Sequence, residues 1–189
     1  MTEAGETDEA LMARYARGDA AAFESLYRRH ALRVWRYLAR NVRNRATADE
    51  LMQEVWFAVA RDALRYEPAA RFTTWLFTIA HNRMIDAIRA RRPNVSLDSL
   101  GYEAGAVVLQ LTAEAGGPLS AAVAAEQSAA IIAAVEKLPG EQRAAFLLQI
   151  EGGLGVEEIA KITDSSFETT KSRLRYARSK LRALLKEHA

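Results

Sequence analysis

Cysteine is absent from this 189-residue chain, and proline occurs only four times. The first absence removes disulfides and thiolate zinc sites altogether. The second leaves long stretches free to run as helix without an interior break. Histidine is scarce as well: His30, His81 and His188 lie too far apart in sequence to suggest a metal cluster. No apolar run approaches the roughly 20 residues needed to span a bilayer, and the acidic start, Met1 to Glu9, lacks the basic-then-apolar order of an export signal. The expectation is a soluble, unexported, cytoplasmic protein without membrane insertion, and the missing thiols fit a reducing compartment. Nor is there a paired-carboxylate site, a P-loop, a metal motif or a nucleophile constellation. No catalytic residue, metal or cofactor is therefore expected, which argues against an enzyme carrying a DNA-binding domain.

Lysine and arginine are also missing from the whole stretch between Arg92 and Lys137. Beyond it, residues 171–186 carry seven basic side chains (Lys171, Arg173, Arg175, Arg178, Lys180, Arg182, Lys186) and no acidic one. A formal net charge of +2 conceals this asymmetry, although the segment alone can attract a phosphate backbone. The separation suggests two nucleic-acid-binding ends joined by an acidic spacer.

What remains is rich in Ala, Leu, Arg and Glu, with apolar residues recurring every three or four positions, so the chain is expected to be all-α. A first helix is expected to start at Asp8 and stop near Gly18. Asp19 then caps a longer one with the stripe Phe23, Leu26, Tyr27, Val34 and Leu38. Thr47 and Glu50 form a capping box for a third, and a fourth runs from about Thr73 to Arg92. These make a four-helix domain over residues 1–92. Residues 93–118, with Gly101, Gly105, Gly116, Gly117 and two prolines, read as a flexible acidic linker. A second small helical domain fills 119–189, with helices at Leu119 to Lys137, Gly140 to Gln149, Val156 to Ile162 and about Phe167 to Glu187. The last two are joined by only a few residues, the spacing of a helix-turn-helix.

The second helix of such a motif enters the major groove amino-terminal end first, so polar and basic residues belong in its first turns. Here these are Glu168, Thr169, Thr170, Lys171, Ser172, Arg173, Arg175 and Tyr176, with Ser165 and Glu168 as a second capping box. DNA binding is favoured over a merely solvated basic face. On the fourth helix Leu76, Ile79, Ala80, Met84, Ala87 and Ile88 share one side, and Trp75, Thr78, Asn82, Asp86 and Arg89 the other. An aromatic ring among cations suits single-stranded DNA, yet Phe72, Trp75 and Phe77 could equally be core. On the third helix Asp49, Glu50, Gln53 and Glu54 form an acidic face that repels DNA. It is either plainly solvated or a dock for a basic protein, and spacing leaves both open.

These same residues carry a resemblance. Asp49-Glu50-Leu51-Met52-Gln53-Glu54-Val55-Trp56, then Phe72 to Asn82 followed by Asp86 and Arg89, resemble the second conserved region of extracytoplasmic-function sigma factors of the sigma-70 family. Leu138-Pro139, Gln142-Arg143, Glu151-Gly152-Gly153-Leu154, Glu158-Ile159-Ala160 and Thr169 to Leu174 with Ala177, Arg178 and Leu181 resemble its fourth region. The ordered set spans about residues 8–92 and 119–186. The resemblance implies a bacterial transcription initiation factor that binds core RNA polymerase and promoter DNA. It implies that Asp49, Glu50, Met52, Gln53 and Glu54 contact the polymerase clamp. It also implies that Phe72, Thr74, Trp75, Asn82, Asp86 and Arg89 capture unstacked bases of the minus-ten element. Thr169, Lys171, Ser172, Arg173, Arg175, Tyr176, Arg178 and Lys180 would then engage the minus-thirty-five element. An anti-sigma protein is a further implied partner, and the linker, with Asp98, Glu103 and Glu114, would thread through polymerase channels or act only as a tether. The rival is a helix-turn-helix regulator that is not a polymerase subunit. The sequence departs from the family at Thr47, His81, Asp164, Glu168 and Thr170; a left-handed backbone is expected at Asp164, which tolerates it where glycine is usual.

Overall fold

The computed structural model describes residues 5–67, 71–91 and 129–186, and every regular element among these is helical. Helix α1 (Asp8–Ala16) is capped by Thr7, whose hydroxyl accepts the Ala10 amide at 3.2 Å. Asp8, the expected cap, is instead the first helical residue. That position frees its carboxylate to meet His30 Nε2 at 2.7 Å and Arg29 at 2.9 Å. Helix α2 (Ala20–Val42) is capped by Asp19 as expected, and it ends where Arg43 turns left-handed at φ 55°. The turn places Asn44 in extended backbone, so Asn44 caps α3 (Arg45–Arg61) by accepting the Thr47 amide at 3.0 Å. The helix thus begins before the expected Thr47 capping box, and Thr47 is buried. A short 3-10 turn (Ala63–Arg65) follows. Helix α4 (Phe72–Arg91) starts with its first amide donated across the molecule to the Glu9 carboxylate, at 2.9 Å.

The linker expected at 93–118, with Asp98, Glu103 and Glu114, lies outside the described residues, as does the expected helical stretch before residue 129. Helix α5 covers residues 129–136, followed by α6 (Gly140–Gly152), α7 (Val156–Ile162) and α8 (Phe167–Lys186). Between α7 and α8 Asp164 adopts φ 47°, the left-handed angle anticipated for it. Ser166, rather than Ser165, caps α8 by accepting the Thr169 amide at 3.1 Å. The Ser165 hydroxyl instead links Thr163 and Thr170, which ties the turn to both helices.

Leu26, Val34, Leu38, Val55, Leu76, Phe77 and Met84 close the interior of α1 to α4, and Leu138, Leu147, Leu148, Ile159, Leu174 and Leu181 that of α5 to α8. The two groups merge into one apolar cluster because α2 packs on α6. Gly152 permits this approach: a Cβ there would stand 2.9 Å from Leu154 and 3.5 Å from Phe77 of the other half.

Polar contacts cross the same seam. Arg40 Nη1 donates to Glu151 Oε1 at 2.8 Å, with side chains only 12% and 7% exposed. Arg143, 1% exposed, donates to the Leu138 carbonyl at 3.1 Å and to the Asn41 carbonyl across the seam at 3.4 Å. Arg43 reaches the Glu136 carbonyl from the opposite direction. Burial, with neighbouring Arg43, brings the Arg143 guanidinium down to about 10, so it stays charged at neutral pH. The Nε atoms of Arg36, Arg40, Arg43 and Arg143 are buried without hydrogen-bond partners. Each such orphan opposes the packing it sits in, since burying an unpaired donor costs about 1–3 kcal/mol.

Candidate nucleic-acid interface

Helix α8 is held by one buried stripe, Thr170, Leu174, Ala177 and Leu181, spaced by three or four residues, so its opposite side faces solvent. Thr169, Lys171, Arg175, Tyr176, Arg178 and Lys180 lie on that exposed side, whereas Ser172 and Arg173 are half-buried. Not all the cations are equally available. Arg173 is engaged by Glu141 of α6, and Arg178 donates to Gln149 Oε1 at 2.5 Å. These two brace the helix. Arg175 lies over the Tyr176 ring at 5.0 Å, and Lys171 sits 6.0 Å from the Phe167 ring centroid, arrangements that pre-orient both charges outward. Lys171, Arg175 and Lys180 are thus the best placed to meet a duplex.

On α4 the expected polar face exists: Asn82, Asp86 and Arg89 are exposed, and Trp75 and Thr78 are half-buried. Phe72 lies apart from this face. It is fully buried, with its ring 5.3 Å from His30, 6.2 Å from Tyr66 and 6.1 Å from Trp75. Phe72 shares the inward side of the helix with Leu76, one turn on, so its ring lies in the core against Trp75 and presents no surface to solvent. Trp75 also packs on Tyr66 at 5.1 Å. The neighbouring His81 is buried and hydrogen-bonded through Nδ1 to the Tyr37 hydroxyl at 2.7 Å, which fixes α4 to α2 directly under the polar face. Burial lowers this imidazole to about 4, so it is neutral at physiological pH.

The seam between the two halves reaches this face. A groove of about 500 Å³ runs between α4 and the carboxy-terminal helices, bordered by Asn82, Asp86, Arg89, Glu141, Ile162 and Asp164. Elsewhere on the α4–α7 contact, Thr74 donates its hydroxyl to Glu158 Oε1 at 2.5 Å, and Arg71 approaches Glu158 Oε2 at 3.6 Å. Burial pulls the Glu158 carboxyl upward, but the bonds from Thr74 and the Gly155 amide, with Arg71 and Lys161 nearby, hold it below the usual carboxylate range. Sequence inspection named Thr74 and Glu158 separately and missed both Arg71 and their pairing, for which a linear motif holds no signal.

The acidic face of α3 is exposed at Asp49, Glu50, Gln53 and Glu54. Asp49 accepts the Trp35 indole N–H at 2.7 Å, and Glu54 lies 3.9 Å from Arg83. Met52, at 8% exposure, belongs to the core below this face and can support it only from within. On the face itself stands Phe57, 70% exposed and one turn beyond Gln53 and Glu54 on the same stripe. The signal was present in the spacing Glu50, Gln53, Glu54, Phe57. Among the described residues no group of three or more His, Cys, Asp or Glu side chains could hold a metal ion, and no helix is long and apolar enough to cross a membrane.

Residues 26–93 match the family description Sigma-70 region 2, and residues 128–181 match Sigma-70, region 4. The chain is 35% identical to the RNA polymerase sigma factor CarQ of Myxococcus xanthus, over 93% of this chain and 96% of that one. It is 29% identical to the ECF RNA polymerase sigma factor SigK of Mycobacterium ulcerans, over 96% of each. It is 28% identical to the ECF RNA polymerase sigma factor SigW of Bacillus subtilis, over 90% of this chain and 92% of that one. Among solved structures the fold resembles CnrH in complex with the cytosolic domain of CnrY (TM-score 0.66, 23% identity, 97% and 100% of the two chains). It also resembles the sigma factor RpoE in complex with the anti-sigma factor NepR from Bartonella quintana (TM-score 0.68, 24% identity, 87% and 96%).

Proposed function

This chain belongs to the extracytoplasmic-function branch of the sigma-70 family, and from that membership we infer that it binds core RNA polymerase and directs it to a subset of promoters. It is a transcription initiation factor, not an enzyme. A helix-turn-helix regulator acting apart from polymerase is not favoured, because the likeness includes region 2 as well as the DNA-reading carboxy-terminal end. The observation that carries the reading is the order of three surfaces along one chain: an acidic α3 face, a polar α4 face with Trp75, and a basic α8 face.

Each surface has its own task. The α3 face, with Asp49, Glu50, Gln53, Glu54 and Phe57, docks on the polymerase clamp, supported from within by Met52. A charged rim around an exposed aromatic suits a basic partner surface. The α4 face holds the melted minus-ten strand: Trp75 stacks a base, while Thr74, Asn82, Asp86 and Arg89 contact base edges or backbone. Phe72 positions Trp75. Helix α8 enters the major groove of the minus-thirty-five element. Lys171, Ser172, Arg175 and Tyr176 lie nearest the bases, and Thr169, Arg173, Arg178 and Lys180 fix register through phosphates or through the brace to α6.

No covalent chemistry is required. Free energy for opening the duplex comes from bases bound outside the stack while the upstream contact holds the protein in register. The cytoplasm is the compartment this function requires. Because the similar RpoE was solved with an anti-sigma factor, an anti-sigma protein is also proposed as a partner here. Runoff transcription with core polymerase on a promoter library tests the whole reading. Specific start sites dependent on this chain are expected, and their absence on every promoter overturns it.

A further inference from the structure

The contact of Glu158 with Arg71 and Thr74 joins the edge of the proposed strand-binding face to a carboxylate from the other half of the molecule. One oxygen of that carboxylate takes the Thr74 hydroxyl and the other faces the Arg71 guanidinium. A hydroxyl and a guanidinium converging on two oxygens of an anion are the donors that hold a nucleic-acid phosphate. Arg71, whose carbonyl accepts the Trp75 amide at 3.2 Å, and Thr74 lie within about one turn of Trp75, so a strand running along the start of α4 with a base on Trp75 brings a phosphate close to them. The end of α4 does not itself supply the site, since its first amide is taken by Glu9.

We propose that Arg71 and Thr74 form a phosphate site for the melted promoter strand, and that in the free chain this site is filled by the Glu158 carboxylate of α7. The inference rests on the minus-ten reading of α4 above. Glu158 then has two roles. It closes the start of α7 by accepting the Gly155 amide at 2.8 Å, and it competes with DNA for the front half of the chain. The competition is intramolecular, so a weak contact suffices to occupy the site until α7 moves away. The Arg40 and Glu151 pair, with the Arg143 contact to Asn41, holds α6 against α2, and α7 follows α6 after a three-residue turn.

Two substitutions separate the roles. Glu158→Gln keeps an acceptor for the Gly155 amide and removes the charge facing Arg71. Arg71→Ala removes an exposed cation outside any helix. Binding is measured by fluorescence anisotropy on single-stranded minus-ten DNA from a promoter that the chain and core polymerase start on, over a series of salt concentrations. The full-length chain is used alone and on core polymerase. Arg71→Ala is expected to lower the slope of log affinity against log salt by about 0.7 in both forms, the value for one phosphate of a single strand. Glu158→Gln is expected to tighten binding by the chain alone at least about fivefold and to leave the polymerase-bound form unchanged, because there α7 has left the site. An unchanged slope for Arg71→Ala overturns the phosphate site. Equal binding by wild type and Glu158→Gln alone, including none by either, overturns the competition. If promoters are still used while both variants match wild type, only this inference falls; if no promoter is used, the functional reading itself falls.

Discussion

The pair formed by His81 and Tyr37 gives the sharpest quantitative test of how the face on α4 is held. Burial holds the His81 imidazole at about 4, against an ordinary value of 6.5, and the group lies in the core with 7% exposure. In the unfolded chain the ring takes up a proton near 6.5; in the folded chain it does not until about pH 4. Between those limits the unfolded state binds more protons, so acidification favours unfolding and stability rises with pH. Above the upper limit the residue contributes no slope. A shift from 6.5 to about 4, at 1.36 kcal/mol per pH unit, amounts to about 3 kcal/mol lost across the window. The perturbation is the double variant His81→Phe with Tyr37→Phe, which removes both polar partners and keeps two rings in place. Urea unfolding of wild type and variant at pH 7, 6, 5 and 4.5 measures the difference, in which His30, His188 and the carboxylates cancel. Most of that loss should appear in wild type and be missing from the variant. A stability difference that stays constant across the window, or a His81 ring that titrates near 6.5 by NMR, refutes the reasoning.

Other surfaces yield simpler tests. Lys171→Ala or Arg175→Ala should lose about 1–3 kcal/mol on the upstream element in a binding assay if each reads a base; equal losses on scrambled DNA would assign them to phosphates. Phe57→Ala should weaken core-polymerase binding about tenfold by surface plasmon resonance, and Glu54→Lys should slow association; wild-type affinity for both would remove α3 from the interface. Arg40→Glu or Glu151→Arg alone should open the seam, because each leaves like charges buried together, and the double exchange should close it again. Since the chain has no cysteine of its own, spin labels on Arg28→Cys and Ala183→Cys report the separation cleanly. A distance distribution that is already broad in wild type would show that the seam is not held.

The reach of the sequence is clearest at the helices. The three-and-four spacing of apolar residues placed α2, α4, α6, α7 and α8 close to their observed positions, because that spacing is the period of the backbone itself. Asp19 and Asp164 were legible because a cap and a left-handed turn are local demands. Helix starts were less secure: Thr7 took the role expected of Asp8, and Asn44 that expected of Thr47, each by a shift of a few residues that neighbouring turns decided. The burial of Phe72 and Met52 was not legible for a different reason. A motif records which residues stand together, but whether an apolar side chain faces partner or core depends on what packs beneath it, and here Leu76 is fully buried while Trp75, one residue before it, is only half-buried.

The sequence alone determined a helical protein with a basic carboxy-terminal face, an acidic α3 face and a polar α4 face, since charge and period are properties of neighbours along the chain. Only the tertiary structure decided that Arg40 meets Glu151, that His81 is buried against Tyr37, and that Glu158 reaches Thr74 and Arg71. These partners lie 111, 44 and, for Thr74 with Glu158, 84 residues apart. No local rule encodes such pairings: His81 meets Tyr37 through the packing of α4 on α2, and the other two follow from how the seam between α2 and α6 closes in space, with Gly152 small enough to let it.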